Sequence, residues 1–232
     1  MSGAGRGHGP PRVRRVGHPW RAVLFDLDGT LADTTALIVE CFQRTVEAHL
    51  GERLPPERWL ATMGRPLRVQ MRDFARDEAE WEAMVATYNT HQEALHDGRV
   101  RAFDHAAEVL DALRVAGVPV ALVTSKGRRM TERTLSCCGL AERIEVCVCG
   151  DEVERPKPDP EPVRRALDLL GTGPGGEDVL FVGDSPFDVR AGRAAGVRTA
   201  AALWGPFSES VLACERPHHT LRALPDLLVL RP

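Results

Sequence analysis

Residues 25–34 read "FDLDGTLADT", and where this stretch puts its two carboxylates decides how the whole chain is read. The apolar run Ala22, Val23, Leu24, Phe25 stops at Asp26; one leucine separates Asp26 from Asp28, and Gly29 and Thr30 follow. A short apolar run that ends abruptly on charge suits a buried strand that empties into a polar site. Residues i and i+2 of an extended chain point the same way, so Asp26 and Asp28 face one place. Gly29 permits the turn that brings the backbone close to that place.

Working outward, further strand-type runs occur at 118–123, 144–148 and 179–182, with a weaker one at 198–203. Helical patterns separate them. Met130, Thr134 and Leu135 precede Gly139, and Val163, Ala166, Leu167 and Leu170 precede Gly171. A short helix opens at Asp188 and stops near Gly196. Strand alternating with helix predicts an α/β fold, a Rossmann-like parallel sheet covered on both faces. Residues 34–98 break the alternation. Leu37, Ile38, Cys41, Phe42 and Val46 share one helical face, and Trp81, Met84, Val85, Tyr88 and Leu95 make a second stripe. So long a stretch is no connecting loop. It predicts an inserted α-helical cap with its own core, tethered beside the carboxylates where a lid would sit. Its aromatic stripe reads as core. A helix at 104–116, capped by Asp104, returns the chain to the sheet. The expected division is a basic, disordered tail at 1–19, an α/β core at 20–33 and 99–232, and a cap at 34–98.

Composition bounds the function classes. Of 232 residues, 43% are hydrophobic and 27% charged, and the net charge is -3, which suits a soluble globular chain. No apolar stretch has membrane-spanning length, and no general attraction to nucleic acid or membrane is expected. Arg6, Arg12, Arg14, Arg15 and Arg21 make the N-terminal segment basic, but it lacks the apolar run of a secretory signal and reads as a solvated tail. A cytoplasmic protein, monomeric or weakly dimeric, is the expectation. The six cysteines form no C-x-x-C pair and read as buried free thiols. Of the 30 Lys and Arg residues only Lys126 and Lys157 are lysines.

Ligands bind beyond the carboxyl ends of the strands in an open parallel sheet. After the first run come Asp26, Asp28, Gly29 and Thr30; after the second, Thr124, Ser125 and Lys126; after the third, a loop with Lys157; after the fourth, Asp184, Ser185 and Asp188. Both lysines fall in this set. Hard oxygen ligands without histidine point to Mg²⁺, and acids around Mg²⁺ with hydroxyls and an ammonium suit a phosphoryl group. Two carboxylates in unequal surroundings have their pKa values pushed apart. One can stay ionised and attack phosphorus, while the other keeps a proton for the leaving oxygen.

"DLDGTLADT", "VTSK", "KPDPEP" and "GDSPFDVRAGRAAG" resemble, in order and spacing, the four motifs of the haloacid dehalogenase-like superfamily of phosphohydrolases. The insert resembles the cap of its phosphoglycolate phosphatase-like and pyrophosphatase-like members, as does "WGPF" at 204–207. The resemblance implies Asp26 as nucleophile and Asp28 as general acid and then base, its main-chain carbonyl on Mg²⁺. It implies Thr124, with Ser125, on the phosphoryl group, Lys157 neutralising it, Asp26 and Asp184 on the metal, and Asp188 supporting from behind. Lys126 matches a position near the phosphoryl group or substrate, and Arg65 lies in a cap loop that faces substrate in relatives. Asp104-His105 stands where the family often has Pro-Gly.

The reading is therefore a Mg²⁺-dependent phosphatase for a small phosphorylated metabolite of phosphoglycolate type. Inorganic pyrophosphatase and a β-phosphoglucomutase-type mutase are the alternatives, and a catalytically idle binding module the rival from another class. Asp33 reads equally as a cap of the first insert helix, Arg68 as a solvated face, and His218 and His219 as surface residues without a role.

Overall fold

The computed structural model describes residues 18–232. The expected tail at 1–19 lies, apart from His18 and Pro19, outside the described residues. Six parallel strands form the main sheet: β1 (Ala22–Phe25), β4 (Val120–Val123), β5 (Val146–Val148), β6 (Val179–Gly183), β7 (Arg198–Ala202) and β8 (His219–Leu221). Their order is β5-β4-β1-β6-β7-β8. β1 is central and pairs Phe25 with Leu122 on one side and Val182 on the other. Every residue of β1, β4 and β6 is buried, as expected of strands covered on both faces. The fold is α/β and Rossmann-like.

Two hydrophobic clusters fill the two faces of the sheet. Val23, Phe25, Leu122 and Val182 meet α5 (Ala106–Val115) and the C-terminal turn on one face; Leu24, Ala121, Val123 and Phe181 meet α7 (Glu161–Leu169) on the other. The alternation along β1 divides its side chains between them. Helices α6 (Arg128–Cys137) and α8 (Pro186–Ala194) complete the alternation, and α9 (Glu209–Cys214) precedes the last strand.

Residues 34–98 are helical: α1 (Thr35–Leu50), α2 (Pro56–Leu60), α3 (Leu67–Arg72) and α4 (Glu78–Leu95). Leu37, Cys41, Phe42, Met84 and Val85 bury in a third cluster with Trp59, whose ring stacks on Phe42 at 4.6 Å and on Tyr88 at 5.7 Å. The chain enters and leaves this insert through two short antiparallel strands, β2 (Ala32–Asp33) and β3 (Arg101–Ala102).

Several details differ from the sequence reading. β4 begins at Val120, because Gly117 turns left-handed and Pro119 has no N–H to give. β5 begins at Val146 after a 3₁₀ turn at Ala141–Arg143. The histidine pair is not wholly surface: His219 lies in β8 with its ring edge-on to buried Trp20, and His218 accepts a bond from the Thr199 N–H. β8 offers only one buried side chain, Leu221, too little for a strand signal. The six thiols are free; Cys41 and Cys149 are buried, but Cys137 and Cys214 are exposed. Asp33 does not cap α1, whose N-cap is Thr34. No described helix is long and apolar enough to cross a membrane.

Asp104 does not cap α5 either. The N-cap is His105, held left-handed at φ 65 with no side-chain capping hydrogen bond, its imidazole 3.9 Å from Glu108. Glycine reaches that conformation freely and other residues at a cost, so the glycine that the resemblance leads one to expect here has a backbone reason. His105→Gly is expected to be neutral to stabilising, by up to about 1 kcal/mol in urea unfolding. A clear loss of stability would mean that the imidazole itself supports the helix.

Candidate active site

The carboxyl ends of β1, β4 and β6 open onto one cavity of about 410 Å³, roofed by α3 and α4 of the insert. Asp26 follows β1 directly and is only 4% exposed. Its backbone N–H bonds to Val182 O at 2.9 Å, tying it to the neighbouring strand. Asp184 follows β6. Thr30 Oγ1 donates to Asp184 Oδ1 at 2.8 Å, so the turn after β1 orients the acid after β6. Gly29 makes this approach possible: its φ is +82, and a Cβ there would lie 2.4 Å from Asp184 Oδ2.

Asp188 occupies the first turn of α8. Its Oδ2 accepts from Ser185 N at 3.0 Å and Ser185 Oγ at 2.5 Å, closing a capping box. Its Oδ1 accepts from Lys157 Nζ at 2.6 Å. The same ammonium lies 3.0 Å from Asp26 Oδ1 and donates to Val123 O at 3.2 Å. One buried lysine thus stands between two buried aspartates. Both Asp188 oxygens are committed within the protein.

Oxygens of Asp26, Asp184 and Asp188 lie within 4.8 Å of one another, and all three residues are buried. Burial, then Asp188 and, more weakly, Asp28, push the Asp26 carboxyl up to about 7 against the pull of Lys157. Burial, Asp26 and Asp188 hold Asp184 well above the ordinary range. Burial alone would lower Lys157, but Asp188 and Asp26 outweigh it and hold the ammonium charged. Three carboxyls share one cation, so the site is short of positive charge. A hard divalent ion fits this all-oxygen set.

Asp28 stands apart from the three. Lys126 Nζ lies 2.8 Å from both its oxygens, and Thr34 Oγ1 donates to Oδ1 at 2.7 Å. Both aspartates line the cavity, although the strand ends at Phe25 before reaching them. Lys126 therefore has a protein partner rather than a free ammonium. Thr124 is buried at the end of β4, and its Oγ1 accepts from Lys126 N at 3.2 Å. Ser125 Oγ donates to Gly64 O in the insert at 2.6 Å, so this hydroxyl joins the two halves. Arg65 borders the cavity with its guanidinium on Asp73 at 2.7 Å. Arg68 also borders it, paired with Glu82 and lying 4.0 Å over the Trp81 ring.

Sequence reasoning missed Gly64, Tyr88, Asn89 and Gln92. Tyr88 was read as core, and it does stack in the insert, but it also lines the cavity. Gly64 carries a readable signal only in hindsight, in "MGRP" before a helix. It sits at φ +101, where a Cβ would meet Ser185 Oγ at 2.6 Å.

A family model described as haloacid dehalogenase-like hydrolase matches residues 23–202. A chain of Caldanaerobacter subterraneus subsp. tengcongensis bearing the pyrophosphatase PpaX name is 39% identical over 89% of this chain and 92% of its own. A pyrophosphatase PpaX of Halalkalibacterium halodurans is 36% identical over 89% and 94%. Among solved structures, one from Haemophilus somnus 129PT, described as a predicted phosphoglycolate phosphatase, superposes with a TM-score of 0.82 at 22% identity, covering 90% of this chain and 97% of that one.

Two outcomes follow from this geometry. Gly64→Ala should open the insert from the core, read as faster proteolysis of residues 34–98 with the sheet intact. The second concerns pH. An unfolded aspartate titrates at its ordinary value of 3.8, and folded Asp26 is pushed up to about 7. Between them the folded state holds the extra proton, so the Asp26 contribution to stability is lost as pH rises from about 4 to about 7. Asp184 adds in the same direction. Added Mg²⁺ should therefore raise Tm more above about pH 7 than near pH 5, and Asp184→Asn should shrink that difference. An equal Mg²⁺ effect at both pH values would contradict this charge deficit.

Proposed function

Because the chain belongs to the haloacid dehalogenase-like hydrolase family, we propose that it is a Mg²⁺-dependent phosphatase that works through an aspartyl-phosphate on Asp26. That it is a phosphatase of this family rests on the matched length and the relatives' identity; the residue roles, the metal and the substrate are the proposal. The observation that carries it is the buried group of Asp26, Asp184 and Asp188 around Lys157.

Asp26, Asp184 and the main-chain carbonyl of Asp28 would hold the ion. When bound, it supplies positive charge to the phosphoryl oxygens and to the carboxylates around them. An Asp26 carboxylate oxygen attacks phosphorus, and the bond from phosphorus to the leaving oxygen breaks. A proton passes to that oxygen by way of Asp28, whose two oxygens both contact the Lys126 ammonium. In the second half, Asp28 takes a proton from water, whose oxygen attacks phosphorus and restores free Asp26 with release of phosphate. Thr124 hydrogen-bonds the transferring group, and Lys157 holds Asp26 in line while offsetting charge. Asp188 fixes Lys157, and Lys126 and Thr34 fix Asp28. Residues 34–98 act as a cap that excludes water and selects substrate. A small phosphorylated metabolite in the cytoplasm is the partner this reading implies.

Pyrophosphate takes precedence over phosphoglycolate. The relatives named pyrophosphatase PpaX are 36–39% identical over 89% of the chain, while the phosphoglycolate phosphatase neighbour, at 22%, speaks for the fold alone. Phosphate release from pyrophosphate, phosphoglycolate and sugar phosphates tests the substrate; net release without a bisphosphate primer separates hydrolase from mutase. Asp26→Asn should stay folded and lose kcat by a factor on the order of 10³ or more. Retention of most activity would remove Asp26 from the nucleophile's role. EDTA should abolish turnover, and Mg²⁺ should restore it.

A further inference from the structure

Helix α4 turns a polar strip toward the cavity. Tyr88 is 3% exposed and Gln92 6%, and both line the cavity with Asn89. Among the described residues none of these three heads has a hydrogen-bond partner, and none is sealed away from the cavity space. Tyr88 and Gln92 lie four residues apart on one helical face and border the cavity with polar heads that no protein group occupies. Burial, with Cys41 and Asp28 adding, holds the Tyr88 hydroxyl well above its ordinary pKa, so it remains a donor.

The charges around this strip are sorted. The carboxylates that line the cavity, Asp26, Asp28, Asp151 and Asp184, all come from the core side. The insert contributes Arg65 and Arg68 and no carboxylate. Their own partners, Asp73 and Glu82, stand outside the lining. Beside those guanidinium groups the roof presents the Tyr88 phenol and the Asn89 and Gln92 amides, each able to donate a hydrogen bond, and no carboxylate. The chemistry that matches is an oxyanion with several acceptor oxygens.

We propose that Tyr88, Asn89 and Gln92, beneath the Arg65 and Arg68 edge, form the leaving-group subsite, and that it takes a leaving group which is itself anionic. The inference rests on the hydrolase reading above and narrows its substrate class. Either the second phosphoryl group of pyrophosphate or the short carboxylate of phosphoglycolate supplies that chemistry. Lys126 lies on the same side of the site as Asp28, the proton donor to the leaving oxygen. Tyr88 adds packing that a variant must preserve, since its ring stacks on Trp59.

The test compares wild type with Tyr88→Phe, which keeps the ring, and with Tyr88→Phe combined with Gln92→Leu. Steady-state kinetics on pyrophosphate, phosphoglycolate and p-nitrophenyl phosphate give the selectivity between anionic and aryl leaving groups. The double variant should lower the ratio of kcat/KM for the preferred anionic substrate over that for the aryl ester by about tenfold or more, chiefly through KM. Calorimetric binding of the non-hydrolysable methylenediphosphonate should weaken by a similar factor. Preference for pyrophosphate or for phosphoglycolate identifies which anion the subsite serves. An unchanged ratio with unchanged diphosphonate binding overturns the subsite while leaving the phosphatase intact. Wild type that prefers sugar phosphates overturns it as well. Wild type inactive on every ester with Mg²⁺ present would instead bring down the hydrolase reading on which it rests.

Discussion

The buried ammonium of Lys157 is the constraint on which the rest of the site depends. It stands 2.6 Å from Asp188 and 3.0 Å from Asp26, with almost no solvent to share the load. A buried pair of this kind gives little net stability, because desolvation offsets attraction, but removing one member leaves an uncompensated charge. Here one cation faces several acids, so even the intact arrangement is unbalanced. That imbalance gives a divalent ion a reason to bind, and it comes from two strand ends and a loop that only the parallel sheet brings together. Chemistry and fold are thereby coupled.

Around that centre the hydroxyls act as fasteners between segments. Thr30 ties the first turn to Asp184, Ser185 braces Asp188, and Thr34 and Lys126 pin Asp28. Ser125 differs, since its bond to Gly64 crosses from the sheet to the insert. Each fastener is short, and each links residues that must keep register for a phosphoryl group to be held in line. The insert contributes no acid to the cavity, so its influence falls on what binds rather than on the metal-side chemistry.

Much of this was legible in the sequence, for physical reasons. β1, β4 and β6 are apolar on both faces and empty directly into polar residues, which is a loud signal. The acids and lysines after those strands needed only the rule that ligands gather at carboxyl ends. What stayed hidden depends on tertiary placement. Ser125 lines the cavity as a phosphate-binding hydroxyl would, but its bond to Gly64 O is not readable from sequence. Lys126 also lines the cavity, and its ion pair with Asp28 is equally invisible there. Tyr88 obeys a core periodicity and yet also lines the cavity, because one face of α4 serves two purposes. β8 and the left-handed His105 have no sequence signal of their own; neighbours impose both conformations.

The indole of Trp204 donates to Thr30 O at 3.0 Å, and Gly205, beside it, leaves room for Asp184, whose Cβ lies 2.4 Å from where a side chain on that glycine would begin. Both residues lie past the last position matched by the family model, residue 202. The turn after β1 is therefore buttressed by a downstream segment that family-level boundaries omit. A chain trimmed to the matched span would keep every acid and both lysines, yet lose the strut that holds the first turn against the fourth strand end.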